Sequence, residues 1–194
     1  DMRPVLSNIL VLFASMFLMF PVASLAAETE RAPATSSADT SLAALPKATW
    51  IVDGQGKRPI YIFFDPNCPA CQMLYKSLRS LIGPHNLQVR WVPVAMVNAT
   101  SLGKVAAILE APDPSAALRE NEERYAGESY AGGITEQIPS HETERRTRAN
   151  ERLLNKLDIP VVPSMLFADK NGRAVLIQGA LSPLALGKVF KRLP

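Results

Sequence analysis

Short apolar runs alternate with amphipathic stretches from residue 48 to the end of the chain. Five of these runs have the length and composition of β-strands: 48–52, 58–64, 87–94, 164–168 and 174–177. Helical spacing of apolar residues predicts helices after Cys71, over 101–109, from 114 to about 125, over 141–157 and from 183 to about 193. The order strand, strand, helix, strand, helices, strand, hairpin strand, helix is typical of an α/β domain with a mixed sheet and helices on its faces.

Turn and capping residues support these boundaries. Asp113-Pro114 has the form of an N-cap followed by proline at the first helical position, and Ser182-Pro183 starts the last helix. Asn171-Gly172 is a strong hairpin signal between the last two strands. Gly83-Pro84 predicts the end of the first helix.

The first 46 residues differ from the rest of the chain. Met2-Arg3, the apolar run 9–20 and the small residues Ala23, Ser24, Ala26 and Ala27 have the form of a secretory signal peptide, which we assign to residues 1–27. An uncleaved membrane anchor is the alternative. Residues 28–46, rich in Ala, Ser, Thr and Pro, are expected to be a flexible linker, and 47–194 the folded domain. The pattern predicts export to an oxidising compartment.

Charge argues against one class of partner. The chain has 194 residues, with 21 basic and 18 acidic ones, and a net charge of only +3. No run of Lys or Arg and no basic stripe interleaved with aromatic residues is present, so nucleic-acid binding is not predicted.

The only two cysteines lie two residues apart, at the end of the second apolar run. Cys68-Pro69-Ala70-Cys71 places one thiol at a strand-to-helix junction and the other one turn inside the helix. A C-x-x-C motif in this setting is typical of dithiol–disulfide exchange. Because Pro69 and Ala70 carry no charge, the helix start is expected to provide most of the thiolate stabilisation at Cys68, with a moderate decrease in its pKa.

Two other uses of the cysteine pair are less favoured. Half of a zinc site would need His85 and His141, which are far apart and lack paired spacing. A structural disulfide closing so short a loop would stabilise the fold little. We therefore predict no metal and no cofactor.

Several segments resemble one known family. Cys68-Pro69-Ala70-Cys71 followed by a proline directly ahead of a strand, in Val162-Pro163-Ser164, resembles a thioredoxin fold. The segments 48–54, 65–69 and 106–114 are similar to the periplasmic DsbC/DsbG thiol:disulfide interchange proteins, DsbG above all. The resemblance covers roughly 48–194.

The resemblance implies a thioredoxin-like fold with a helical insertion, at about 100–157, before a strand that begins at a cis-proline. Cys68 would be the nucleophile and Cys71 the resolving thiol. Val162 and Pro163 would form the cis-Pro loop that contacts substrate, with Pro160 a competing position for the cis bond.

The implied activity is reduction or isomerisation of protein disulfides, or reduction of sulfenic acids, in the periplasm. Substrates would be secreted proteins with disulfides or oxidised cysteines, and a DsbD-like membrane reductase would recharge the dithiol. The alternatives are a DsbA-like disulfide donor and a non-enzymatic chaperone or assembly module whose redox motif is vestigial.

Three departures from the family pattern stand out. Ile62 occupies the position of thioredoxin's buried acid. Val162 stands where DsbC and DsbG carry Thr, and a Val at this place resembles DsbA instead. The residues between 27 and the first strand are too few for the family's N-terminal dimerisation domain, so a monomer is expected.

Overall fold

A five-stranded mixed sheet forms the centre of the domain. The computed structural model describes residues 42–127 and 131–194, so the predicted signal peptide and most of the predicted linker lie outside the described residues. The strands are β1 (Ile51–Asp53), β2 (Arg58–Phe64), β3 (Leu87–Pro93), β4 (Ser164–Ala168) and β5 (Ala174–Gln178). Their order in the sheet is β1-β3-β2-β4-β5. Only the β2–β3 pair is parallel; the other neighbours are antiparallel.

Helices cover both faces of this sheet. They are α1 (Pro69–Leu78), α2 (Ser101–Leu109), α3 (Pro114–Glu123), α4 (His141–Lys156) and α5 (Pro183–Phe190). Side chains of Asp113, Ser140 and Ser182 accept hydrogen bonds from backbone amides in the first turns of α3, α4 and α5. The predicted α/β fold class is confirmed, with α2, α3 and α4 inserted between β3 and β4.

Strand β2 is buried on both sides and divides the core in two. Successive side chains point to opposite faces of a strand, so Phe63 and Phe64 enter different clusters. Phe64 packs with Trp91 and with helix α1 through Leu74. Phe63 packs on the other face, towards the end of α4. This double burial explains why the apolar run 58–64 shows no alternation.

The packed domain includes part of the segment predicted to be a linker. Leu45 is fully buried and joins the cluster of Phe63, with Leu42 packed beside it. Helix α1 ends at Leu78, before the Gly83-Pro84 pair at which the sequence predicted its end. Turns continue from there to Asn86, where φ is +53°. Strand β1 begins at Ile51, three residues later than the apolar run from 48 suggested.

Residues 42–127 and 131–194 contain no helix with the length and apolar character needed to cross a membrane.

Candidate active site

The two cysteines lie at the junction of β2 and α1, as the sequence predicts. Cys68 is the N-cap residue of α1, and its Sγ accepts a hydrogen bond from the Cys71 amide at 3.3 Å. Pro69 occupies the first helical position, where a missing N–H costs nothing. Both cysteines are free thiols. Cys68 keeps 5% of its surface exposed and Cys71 none, so substrate could reach only the first.

The pKa values of the two thiols shift in opposite directions. The hydrogen bond from the Cys71 side chain, followed by the amides of Cys71 and Ala70, lowers the pKa of Cys68, although burial opposes the shift. Burial raises the pKa of Cys71 well above the ordinary thiol value. The sequence led us to expect most of the stabilisation from the helix start. Two amides of the helix start, those of Cys71 and Ala70, do lower the pKa of Cys68, but the largest single contribution comes from the second thiol, which one helical turn brings against the first.

The cis peptide bond lies between Val162 and Pro163, not at Pro160. Although Val162 is 94 residues from Cys68, the Cys68 thiol donates a hydrogen bond to its carbonyl oxygen at 3.4 Å. The Ser164 hydroxyl donates to Val161 O at 2.8 Å and closes the turn before β4. Antiparallel pairing of β2 with β4 produces this meeting, because it sets Phe63 opposite Ser164. The cis peptide bond Val162–Pro163 therefore lies beside Cys68, and Cys71 lies one helical turn behind it.

Asp65 organises the loop that leads into Cys68. It is fully buried, and its carboxylate accepts bonds from the Asn67 amide at 2.8 Å and the Ser101 hydroxyl at 2.9 Å. The amides of Met96 and Val97 donate to its second oxygen at 2.6 and 2.9 Å. A carboxylate that accepts from four donors holds these loops together.

Asn67 ties the same loop to the helical insertion, which the sequence analysis did not foresee. Its side-chain amide donates to Asn98 Oδ1 at 2.8 Å and to Thr100 Oγ1 at 2.9 Å, and its Oδ1 accepts from the Gly132 amide at 3.1 Å. The Tyr125 hydroxyl donates to the Asn67 carbonyl at 3.0 Å. The insertion thus fixes the backbone directly before the nucleophile position.

Asn121 and Glu122 on α3 complete the surroundings of the dithiol. The Asn121 side chain donates to the Pro66 carbonyl at 2.9 Å and to Glu122 Oε1 at 3.1 Å. Gly132 packs so closely that a Cβ there would lie 2.4 Å from Pro66 O. The buried face of α3 runs from Ala117 and Leu118 to these two polar residues. That continuation, at helical spacing, is the sequence signal that could have identified them.

The histidines lie apart from the thiol chemistry. His85 packs edge-on against the Phe190 ring at 5.4 Å, and His141 is the first residue of α4. Among the described residues, no group of three or more His, Cys, Asp or Glu side chains is arranged to hold a metal ion. Ile62, at the position of thioredoxin's acid, is a core residue.

Two curated relatives are similar in sequence. The thiol:disulfide interchange protein DsbG of Pseudomonas aeruginosa is 29% identical over 146 residues, which are 74% of this chain and 56% of that protein. DsbG of Escherichia coli is 25% identical over 126 residues, covering 62% of this chain and 48% of that protein. The chain thus spans about half the length of the curated relatives it matches.

Solved structures share the fold. The catalytic domain of Proteus mirabilis ScsC superposes with a TM-score of 0.60 at 19% identity, covering 79% of this chain and 96% of that one. A periplasmic thioredoxin-like protein from Salmonella enterica serovar Typhimurium gives 0.59 at 20% identity, covering 73% and 88%. Residues 45–194 match the family model described as a thioredoxin-like domain, a span that starts at the buried Leu45 and includes both cysteines and the cis-proline. This chain belongs to the thioredoxin-like domain family.

Proposed function

We propose that this protein is an exported thiol:disulfide oxidoreductase in which Cys68 and Cys71 exchange two electrons with protein substrates. The observation that carries the proposal is that the two thiols differ in exposure and that their pKa values shift in opposite directions. Cys68 reaches the surface and has a lowered pKa, whereas Cys71 is fully buried and has a raised one. A nucleophile needs the first set of properties, and a thiol held in reserve until the mixed disulfide forms needs the second.

In the proposed reaction, the Cys68 thiolate attacks one sulfur of a substrate disulfide. A bond forms between Cys68 and that sulfur, and the other substrate sulfur leaves as a thiolate. Cys71 then loses its proton and attacks Cys68 Sγ, which releases the second substrate thiolate. The substrate gains two electrons and the Cys68–Cys71 pair becomes a disulfide. With a sulfenic acid as substrate, the first step releases hydroxide, which takes up a proton to give water.

Val162 and Pro163 are proposed to contact the substrate. The Cys68 thiol already donates to Val162 O, so the cis-Pro turn borders the reacting sulfur. An extended substrate segment could pair with the backbone at this strand end. Val162 has no hydroxyl, so its side chain offers no hydrogen bond to the substrate or to the cysteines.

The direction proposed is reduction or isomerisation, and the similarity to DsbG supports it. The substrates would be secreted proteins with disulfides or oxidised cysteines, with a DsbD-like membrane reductase as electron donor and the periplasm as location. The leader pattern at residues 1–27 supports export. A monomeric state remains part of the proposal.

Reduction of insulin by the purified protein tests the activity, with Cys68→Ser and Cys71→Ser as variants. We expect Cys68→Ser to abolish turnover and Cys71→Ser to accumulate the mixed disulfide, which a thiol reagent releases. Equal rates for Cys68→Ser and the unmodified protein would overturn the proposal. The reduction potential tests the direction, because a value near the oxidising end of the range from about −270 to −120 mV would indicate a disulfide donor.

A further inference from the structure

Glu122 is a buried acid that the exchange reaction above does not use. It is 1% exposed, and none of the ion pairs among the described residues includes it. Its Oε1 accepts one hydrogen bond, from Asn121, and its Oε2 has no hydrogen-bond partner among the residues described. Burying an ionised carboxylate with an unsatisfied oxygen is costly, so the protein favours the protonated form.

Hydrogen bonds connect Glu122 and its neighbour Asn121 to residues on both sides of the cysteine motif. The Asn121 amide nitrogen that donates to its carboxyl also donates to Pro66 O, two residues before Cys68. The Gln72 side chain, directly after Cys71, donates to the Glu122 carbonyl oxygen at 3.4 Å. Helix α3 therefore holds this carboxyl beside the active-site loop and beside the first turn of α1.

The carboxyl and the thiols also interact through their charges. Burial raises the pKa of Glu122 to about 8, and negative charge on Cys68 and on Asp65 acts in the same direction. In return, charge on Glu122 contributes to raising the pKa of Cys71, after burial and the effects of Cys68. The titratable groups facing Glu122 are Asp65 at the end of β2, and Cys68, Cys71 and Tyr75 at the start of α1 and within it. All of these carry negative charge when they ionise.

We propose that Glu122 is a positioning residue that binds a proton when the Cys68–Cys71 pair is reduced and releases it when the pair is oxidised. The inference rests on the proposed function, because it requires the pair to cycle. When a thiol donor gives two electrons to the disulfide, one proton goes to Cys71, and Cys68 is left as a thiolate. Glu122 then takes one further proton from solvent. Oxidation removes the thiolate charge, and the carboxyl ionises more readily.

This linkage works in both directions. If reduction strengthens proton binding at Glu122, protonation of Glu122 must favour the reduced pair by the same factor. The dithiol would therefore become a weaker reductant as pH falls. Each additional proton taken up changes the equilibrium constant by up to tenfold per pH unit, which is ~30 mV for two electrons.

The test is equilibration of the full chain with a glutathione redox buffer from pH 5 to pH 9. Glu122→Gln keeps the size of the side chain and the carbonyl that accepts from Asn121, but it does not ionise. Glu123→Gln is the matched control, since Glu123 is the exposed neighbour on the same helix. We expect the unmodified protein and Glu123→Gln to share one pH curve. The Glu122→Gln curve should be shallower below pH 8.

The inference is tested by the ratio of the equilibrium constant of the unmodified protein to that of Glu122→Gln. If this ratio changed by less than about twofold between pH 5 and pH 9, the inference would be overturned. A second measurement needs no variant: ¹³C NMR titration of the Glu122 carboxyl in both redox states. We expect the pKa to be higher in the reduced protein, and equal values would refute the linkage. If either of these tests failed while insulin reduction still depended on Cys68, this inference alone would be refuted and the proposed function would stand.

Discussion

The burial of Glu122 makes a quantitative prediction about stability. In the folded protein the pKa of this carboxyl is about 8, against an ordinary value of 4.5. Between these two pH values the folded state holds a proton that the unfolded chain releases, so the free energy of unfolding falls as pH rises. One such group lowers it by about 1 kcal/mol at pH 5 and by about 3 kcal/mol at pH 7. The loss is complete above pH 8.

Glu122→Gln removes this loss because the amide does not ionise. The variant should therefore gain about 2 to 3 kcal/mol over the unmodified protein between pH 5 and pH 7. Urea unfolding of the reduced proteins at pH 5, 6 and 7 measures the gain, and comparison across pH cancels any constant effect of the amide. Glu123→Gln, on the exposed side of α3, should show no such trend. A stability difference between Glu122→Gln and the unmodified protein that does not change with pH would refute the reasoning.

Three further substitutions test other parts of the structure. Cys71→Ala removes the largest contribution to the lowered pKa of Cys68, so the pH midpoint for alkylation of Cys68 by iodoacetamide should rise. Asn67→Ala removes the hydrogen bonds of its side chain to the buried Ser101 hydroxyl and the buried Gly132 amide, so urea unfolding should show a loss of about 1 to 3 kcal/mol, and insulin reduction should slow. Leu45→Ala removes a fully buried side chain from the predicted linker, and thermal or urea unfolding should show a loss of about 2 to 5 kcal/mol.

The two stability predictions, at Asn67 and Leu45, have matched controls. Asn155→Ala, at an exposed position of α4, and Leu184→Ala, with its side chain 74% exposed, should change stability by less than about 0.5 kcal/mol. An unchanged alkylation midpoint in Cys71→Ala would contradict the assigned cause of the Cys68 pKa. Losses at Asn67 or Leu45 no larger than those of the controls would contradict the packing described for these residues.

Local pattern determined the elements of this protein and the position of its reactive motif. The strand Arg58–Phe64, the helix Ser101–Leu109 and the strand Ser164–Ala168 begin and end where the apolar runs and flanking residues predict. The C-x-x-C motif needs only four consecutive residues to place one thiol at a helix start and the other inside the helix. Backbone propensity, capping and side-chain periodicity act over a few residues, so one sequence contains enough information for them.

Tertiary structure alone decided what surrounds the thiols. Val162 O reaches Cys68 because β2 and β4 pair across the inserted helices, and Asn121 reaches Pro66 across 55 residues. The cause of the lowered Cys68 pKa and the unsatisfied Oε2 of Glu122 depend on such contacts. Neither strand order nor the burial of a polar side chain follows from the residues adjacent to it. The sequence by itself therefore located the dithiol, whereas only the folded chain decided how acidic each thiol is and which buried acid lies beside it.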